Sequence, residues 1–217
     1  MPQLQYIEKN TAPNPTASII WLHGLGASGH DFEPIVPEMS FDTGVRFIFP
    51  HAPNMKVTVN GGMVMPAWYD ILSIKIERRI DTQQIEASAN AIIELIEQEI
   101  ARGIPSHRII IAGFSQGGAV AYQVALSYPQ ALAGVIALST YFATSDTISL
   151  SESNTQIPAF IGHGSMDEVV PEILGQKAKE ALEALGNKPD YHNYSIAHSV
   201  CMEEIEDINQ WINQRLI

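Results

Sequence analysis

The sequence predicts an α/β domain built on a mostly parallel, doubly wound sheet with helices on both faces. Three observations carry that reading. Short apolar segments alternate along the chain with longer segments of helical periodicity, the pattern of parallel strands joined by crossover helices. Several of the apolar segments, such as Ile109-Ile110-Ile111-Ala112, run without polar alternation, as strands covered on both faces do. Between that run and a following helix stands Gly113-Phe114-Ser115-Gln116-Gly117. A serine on a sharp strand-to-helix turn sits at the carboxyl edge of a sheet with its hydroxyl held outward.

The predicted strands are Leu4–Glu8, Ala17–Leu22, Val45–Phe49, Arg108–Ala112, Gly134–Leu138, Pro158–Gly162 and Tyr191–Ser195. The predicted helices fall between and after them. In Thr82–Arg102, Ile85, Ala89, Ile92, Ile96 and Ile100 form one apolar stripe, and Gly103 stops it. Gly118 to Tyr128 carries small and apolar residues at helical spacing and ends before Pro129. Pro171–Leu185 opens on a proline suited to a first turn and closes at Gly186. In Met202–Leu216 the buried face is Ile205, Ile208, Trp211 and Ile212. His51 to Ile80 breaks the rhythm. It reads either as a loop arching over a site or as a surface hairpin packing its own aromatics.

The 217 residues are expected to form a single domain, residues 1–217, with an apolar fraction of 46% that suffices for a sizeable core. The net charge of −12 opposes nucleic acid and anionic membrane surfaces as partners. Met1 to Asn14 holds no apolar segment suited to secretion, no run is long enough to span a bilayer, and the lone Cys201 excludes an internal disulfide. The expectation is a soluble cytoplasmic protein without stable membrane insertion.

A serine hydroxyl is a poor nucleophile until a base takes its proton. In this type of sheet the partners follow in the order serine, acid, histidine. After Ser115 come His163, His192 and His198. His163 precedes the acid turn and reads as structural; His192 lies inside the last strand. His198 follows that strand, at the sheet edge where ligands bind, and is the predicted base. Asp167, on the turn after Pro158–Gly162, is the predicted acid that holds the imidazole tautomer; Glu168 then points elsewhere. Two backbone amides are expected to cradle a developing oxyanion: Gln116, at a helix N-terminus, and Leu25, in the glycine-bearing loop His23-Gly24-Leu25-Gly26. His23 reads as a hydrogen-bonder holding that loop, and Cys201 as a buried small hydrophobe. Gly24 to Gly29 matches G-x-G-x-x-G, but no acidic ribose ligand ends the next strand, so a dinucleotide site is set aside. No metal-ligand spacing is present, and no cofactor is expected.

With these residues in view, the chain resembles the phospholipase/carboxylesterase family of α/β-hydrolases, the carboxylesterase and acyl-protein thioesterase group. The likeness runs from about Ile20 to Trp211. It rests on Trp21-Leu22-His23-Gly24-Leu25-Gly26, Phe49-Pro50-His51-Ala52-Pro53, Ala67-Trp68-Tyr69-Asp70, Gly113-Phe114-Ser115-Gln116-Gly117-Gly118-Ala119, His163-Gly164 with Asp167, and His198-Ser199-Val200-Cys201. Ala197 stands where glycine is usual. The resemblance implies an α/β-hydrolase fold without a large lid domain, with nucleophile, acid and base at Ser115, Asp167 and His198 and oxyanion amides at Leu25 and Gln116. It implies a serine carboxylesterase acting on short- to medium-chain acyl esters through an acyl-enzyme. An acyl-protein thioesterase or lysophospholipase using the same site is the alternative. A peptidase with the same triad and a non-catalytic ligand-binding module are the remaining rivals. Some relatives form dimers, so a homodimer is among the expectations. Trp68, Phe142 and Val169 are expected to contact the acyl chain.

Overall fold

The computed structural model describes residues 3–73 and 79–216. A seven-stranded sheet forms from β1 (Tyr6–Asn10), β2 (Ala17–Leu22), β3 (Val45–Pro50), β8 (Ile109–Phe114), β9 (Gly134–Leu138), β10 (Ala159–Gly164) and β11 (Asp190–Tyr194), in the order β1-β3-β2-β8-β9-β10-β11. Only β1 runs antiparallel, pairing with β3. It lies two residues later in the chain than its apolar pattern suggests, because register is set by pairing with β3 at the sheet edge, Tyr6 opposite Pro50.

Along the central strands alternate side chains enter opposite cores. Ile20, Leu22, Ile109, Ile111, Val135 and Ala137 pack against α1 (Thr82–Ala101), α2 (Gln116–Ser127) and α3 (Glu172–Ala184). Ile19, Trp21, Ile110, Ala112, Ile136 and Leu138 pack on the other face against Ile205, Ile208, Trp211 and Ile212 of α4 (Met202–Arg215). Unbroken apolar strands are therefore required, since both faces are dry. Each helix ends where the sequence punctuates it. Gly103 and Gly186 follow α1 and α3 with φ of 97° and 83°, and Tyr128 turns extended before Pro129.

The excursion from His51 contains two antiparallel pairs, β4 (Asn54–Val57) with β5 (Met63–Pro66), and β6 (Ile71–Ser73) with β7 (Arg79–Ile80). Its remaining stretch, 74–78, lies outside the described residues. Both earlier readings apply in part: the hairpin tip exposes Met63 and Val64, while Trp68 and Tyr69 are fully buried. At the opposite end of the strands, Arg46 and Arg102 both bond the buried Glu99 carboxylate at 2.9 Å. This half-buried ion network was not visible in the sequence.

Candidate active site

The site lies at the carboxyl ends of the parallel strands. Ser115 forms the corner between β8 and α2 with φ 54° and ψ −119°, a region that L-residues rarely occupy. The strand thus turns directly into the helix, which begins at Gln116 and not at Gly118. The corner requires its flanking glycines. A Cβ on Gly113 would lie 2.3 Å from Gly117 O, and one on Gly117 would lie 2.5 Å from Leu22 O. Ser115 N–H donates to Leu138 O (2.8 Å) and Thr140 Oγ1 donates to Ser115 O (2.6 Å), fixing the corner on both sides.

His198 reaches the site from the loop after β11. Met166 N–H donates to Ile196 O at 3.0 Å. The loop passes so close over β10 that a Cβ on Gly164 would meet the carbonyls of Ile196 and Ala197 at 2.5 Å. Among the described residues only Ser115 and Ser139 are non-glycines with positive φ, so Ala197 takes a glycine position without strain. His198 Nε2 lies 3.0 Å from Ser115 Oγ, and Nδ1 lies 2.6 Å from Asp167 Oδ2. The other Asp167 oxygen accepts from Val169 N–H (2.9 Å) and Val170 N–H (2.8 Å). Burial raises the Asp167 carboxyl. The hydrogen bonds from His198 and from the two amides outweigh that and hold it below the usual carboxylate range. An ionised carboxylate only accepts, so Nδ1 carries the ring proton and Nε2 is left to accept from the Ser115 hydroxyl.

Leu25 and Gln116 flank the same spot and line the same cleft as Ser115 and His198. Gln116 opens α2, where a backbone N–H has no intrahelical acceptor. Around Leu25 the neighbouring amides are occupied, Gly26 by Pro66 O (2.8 Å) and Ala27 by Gly24 O (3.2 Å). His23 holds the loop. Its Nδ1–H donates to Gly24 O (2.7 Å) and its Nε2 accepts from Ala52 N–H (3.0 Å). Burial pushes its pKa down, so the ring is neutral.

The remaining predicted positions divide. Val169 is exposed and lines the cleft. Trp68 does not reach it: the residue is fully buried, its N–H donates to Gln116 Oε1 (2.8 Å) and its indole N–H to His23 O (2.8 Å). Phe142 also lies elsewhere, stacked on Tyr122 at 5.0 Å and lining a separate cavity of about 180 Å³. Both expectations took aromatic character as a sign of ligand contact, whereas burial against tertiary partners decided the placement. The cleft, about 610 Å³, is walled instead by Val59, Tyr69, Ile71, Tyr141, Val169 and Val170. Glu168 is exposed on its rim while Asp167 points inward. Cys201 is half-buried at the head of α4, not in a core. His163 is buried and bonds Val170 O (2.8 Å), and His192 stacks on Phe160 at 4.8 Å. Gly24 to Gly29 leads into a short turn of 3₁₀ helix, Glu33–Glu38, not into an α-helix that would receive a pyrophosphate. Among the described residues no group of His, Cys, Asp or Glu is arranged to hold a metal ion, and no helix is long and apolar enough to cross a membrane.

Comparison with known proteins places the chain in a family and agrees with the fold. Residues 4–216 match the family model described as Phospholipase/Carboxylesterase. Acyl-protein thioesterase 1 of Neurospora crassa is 38% identical over 215 residues, covering 93% of this chain and 87% of that protein. The crystal structure of Arabidopsis thaliana SOBER1 superposes with a TM-score of 0.88 at 34% identity, over 93% of this chain and 99% of that one. Zea mays acyl-protein thioesterase 2 gives 0.81 at 26% identity, over 97% and 99%. The chain belongs to the phospholipase/carboxylesterase family and is a serine hydrolase of the α/β-hydrolase fold.

Proposed function

We infer that the protein hydrolyses acyl thioesters by nucleophilic catalysis at Ser115. His198 Nε2 takes the Ser115 proton as Oγ attacks the acyl carbonyl. The carbonyl oxygen, now an anion, accepts from the Leu25 and Gln116 amides. Collapse breaks the C–S bond, and His198 returns the proton to the departing thiol. Water, giving a proton to His198, then attacks the acyl-enzyme; the bond from the acyl carbon to Ser115 Oγ breaks, His198 returns the proton to Oγ, and the acid leaves. Asp167 keeps the imidazole in the required tautomer and stabilises the imidazolium. The observation that carries this reading is the hydrogen-bonded series from Ser115 Oγ through His198 to Asp167, with separations of 3.0 and 2.6 Å.

The relatives named acyl-protein thioesterase favour a thioester over the oxygen ester that the family resemblance first implied. The apolar cleft beside Ser115 suits an aliphatic chain. Oxygen esters, lysophospholipids included, remain accessible to the same chemistry. The test is a set of substrates sharing one acyl chain: an S-acyl peptide, an oxygen ester and an amide. Hydrolysis of the S-acyl peptide with a kcat/KM at least equal to that of the ester, and little amide cleavage, is expected. Ester hydrolysis with an inert thioester would overturn the assignment.

A further inference from the structure

The cleft has a second arm. Beyond His198 lies a cavity of about 540 Å³ lined by Phe32, Ile35, Val200 and Met202. Asp31, Phe114 and His198 belong to both arms. Leu25, Gln116 and Ser115 belong only to the first. A series of tilted rings forms one wall: Phe32 lies 5.7 Å from Phe114, whose ring lies 4.7 Å from the His198 imidazole.

Proton return dictates which part of a substrate enters which arm. The leaving atom has to lie within hydrogen-bond reach of His198 Nε2, so the leaving half departs on the His198 side. The acyl half then occupies the arm that holds the oxyanion amides. At the mouth of the leaving-group arm stands Asp31, exposed, with its backbone N–H tied to Ser28 O at 3.1 Å. Asp31 lines this arm together with Phe32 and Phe114, and a carboxylate in an aromatic-walled cavity is the chemistry that receives an ammonium or guanidinium group. We propose that this second arm binds the leaving half of the substrate and that Asp31 makes it select a positively charged one, such as a thiol carrying an ammonium group or a cysteine peptide with a basic neighbour. The proposal rests on the thioesterase reading above.

The test holds the acyl chain constant and varies the charge of the thiol. S-butyryl thioesters of thiocholine and of 3-mercaptopropionate are assayed with wild type, Asp31→Asn and Asp31→Glu. Taking the cation-to-anion ratio of kcat/KM in each protein, and comparing that ratio between proteins, cancels the intrinsic reactivity of the two thiols. Asp31→Asn is expected to lower the ratio by about three- to tenfold, since the change weakens attraction for one substrate and repulsion of the other. Asp31→Glu is expected to keep it. Glu152→Gln, which removes an exposed charge that lines neither arm, is expected to leave it unaltered and so separates a local effect from the overall negative field. A fall of less than threefold in Asp31→Asn, or an equal fall in Glu152→Gln, overturns the proposal. Wild-type protein inert toward both thioesters and toward the S-acyl peptide would instead strike down the thioesterase reading, and the proposal with it.

Discussion

Gln116 and Trp68, 48 residues apart, are joined by a hydrogen bond in which the Trp68 N–H donates to Gln116 Oε1 at 2.8 Å. The Gln116 amide in turn donates to Tyr69 O at 2.6 Å, and the Trp68 indole donates to His23 O. One buried cluster thus fixes the first turn of α2 and the loop bearing Leu25, the two proposed sources of oxyanion amides.

Gln116→Ala keeps its own backbone N–H but removes the side chain that accepts from Trp68 N–H and donates to Tyr69 O. Losing a buried hydrogen-bond partner costs about 1–3 kcal/mol. We expect a loss of roughly 2–4 kcal/mol of stability by chemical denaturation, with kcat lowered about tenfold as the amides lose their alignment. A variant as stable and as active as wild type would show that the cluster does not position them.

Asp167→Asn tests the tautomer argument. Its carbonyl oxygen would retain the bonds from Val169 and Val170, leaving the NH₂ to face His198 Nδ1. The imidazole proton would then move to Nε2, the nitrogen that has to accept from Ser115. Turnover is expected to fall by about 10⁴-fold at neutral pH, with folding retained. A loss under tenfold, measured by steady-state kinetics, would contradict this role.

Backbone strain at Ser115 predicts an inverted order of stability. Ser115→Ala and Ser115→Gly both delete the hydroxyl, but only glycine occupies φ 54°, ψ −119° freely. Ser115→Gly is expected to be more stable than Ser115→Ala by about 1 kcal/mol, or roughly 2–4 °C in Tm for a chain of this size. Calorimetry giving alanine the higher Tm would argue against strain at the corner.

Glu204, in the first turn of α4, is buried, and a Cβ on Gly162 would meet its Oε1. Burial pushes its pKa from the usual 4.5 up to about 8, the Cys201 amide opposing and Asp207 reinforcing the shift. The folded state therefore holds a proton that the unfolded chain releases between those values, and stability falls as pH rises from 4.5 to 8. Glu204→Gln removes this dependence. Relative to wild type the variant is expected to gain on the order of a few kcal/mol between pH 5 and pH 8. An unchanged difference between the two proteins at both pH values would contradict a buried neutral carboxyl.

The elements legible in the sequence are those whose signal is local. Apolar runs marked the five inner strands of the main sheet, β2, β3, β8, β9 and β10, because they are buried on both faces, and Gly103, Pro129 and Gly186 marked helix ends. Ser115, Asp167 and His198 come within hydrogen-bond distance of one another, and their sequence signal is that each follows a predicted strand at its carboxyl end, where the sheet edge is the binding edge. Strand order and the two-residue shift of β1 depend on pairing partners and left no local trace. Trp68 was misplaced for the same reason. Its two hydrogen bonds, to Gln116 and to His23, exist only after β2, α2 and the excursion have come together.

The central claim is that Ser115 becomes acylated, and active-site labelling tests it most directly. The protein is treated with a fluorophosphonate, then analysed by intact mass and peptide mapping, alongside Ser115→Ala. A single adduct on Ser115, absent from the variant together with nearly all thioester hydrolysis, is the predicted result. An adduct on another residue, or hydrolysis by Ser115→Ala within threefold of wild type, would contradict the account.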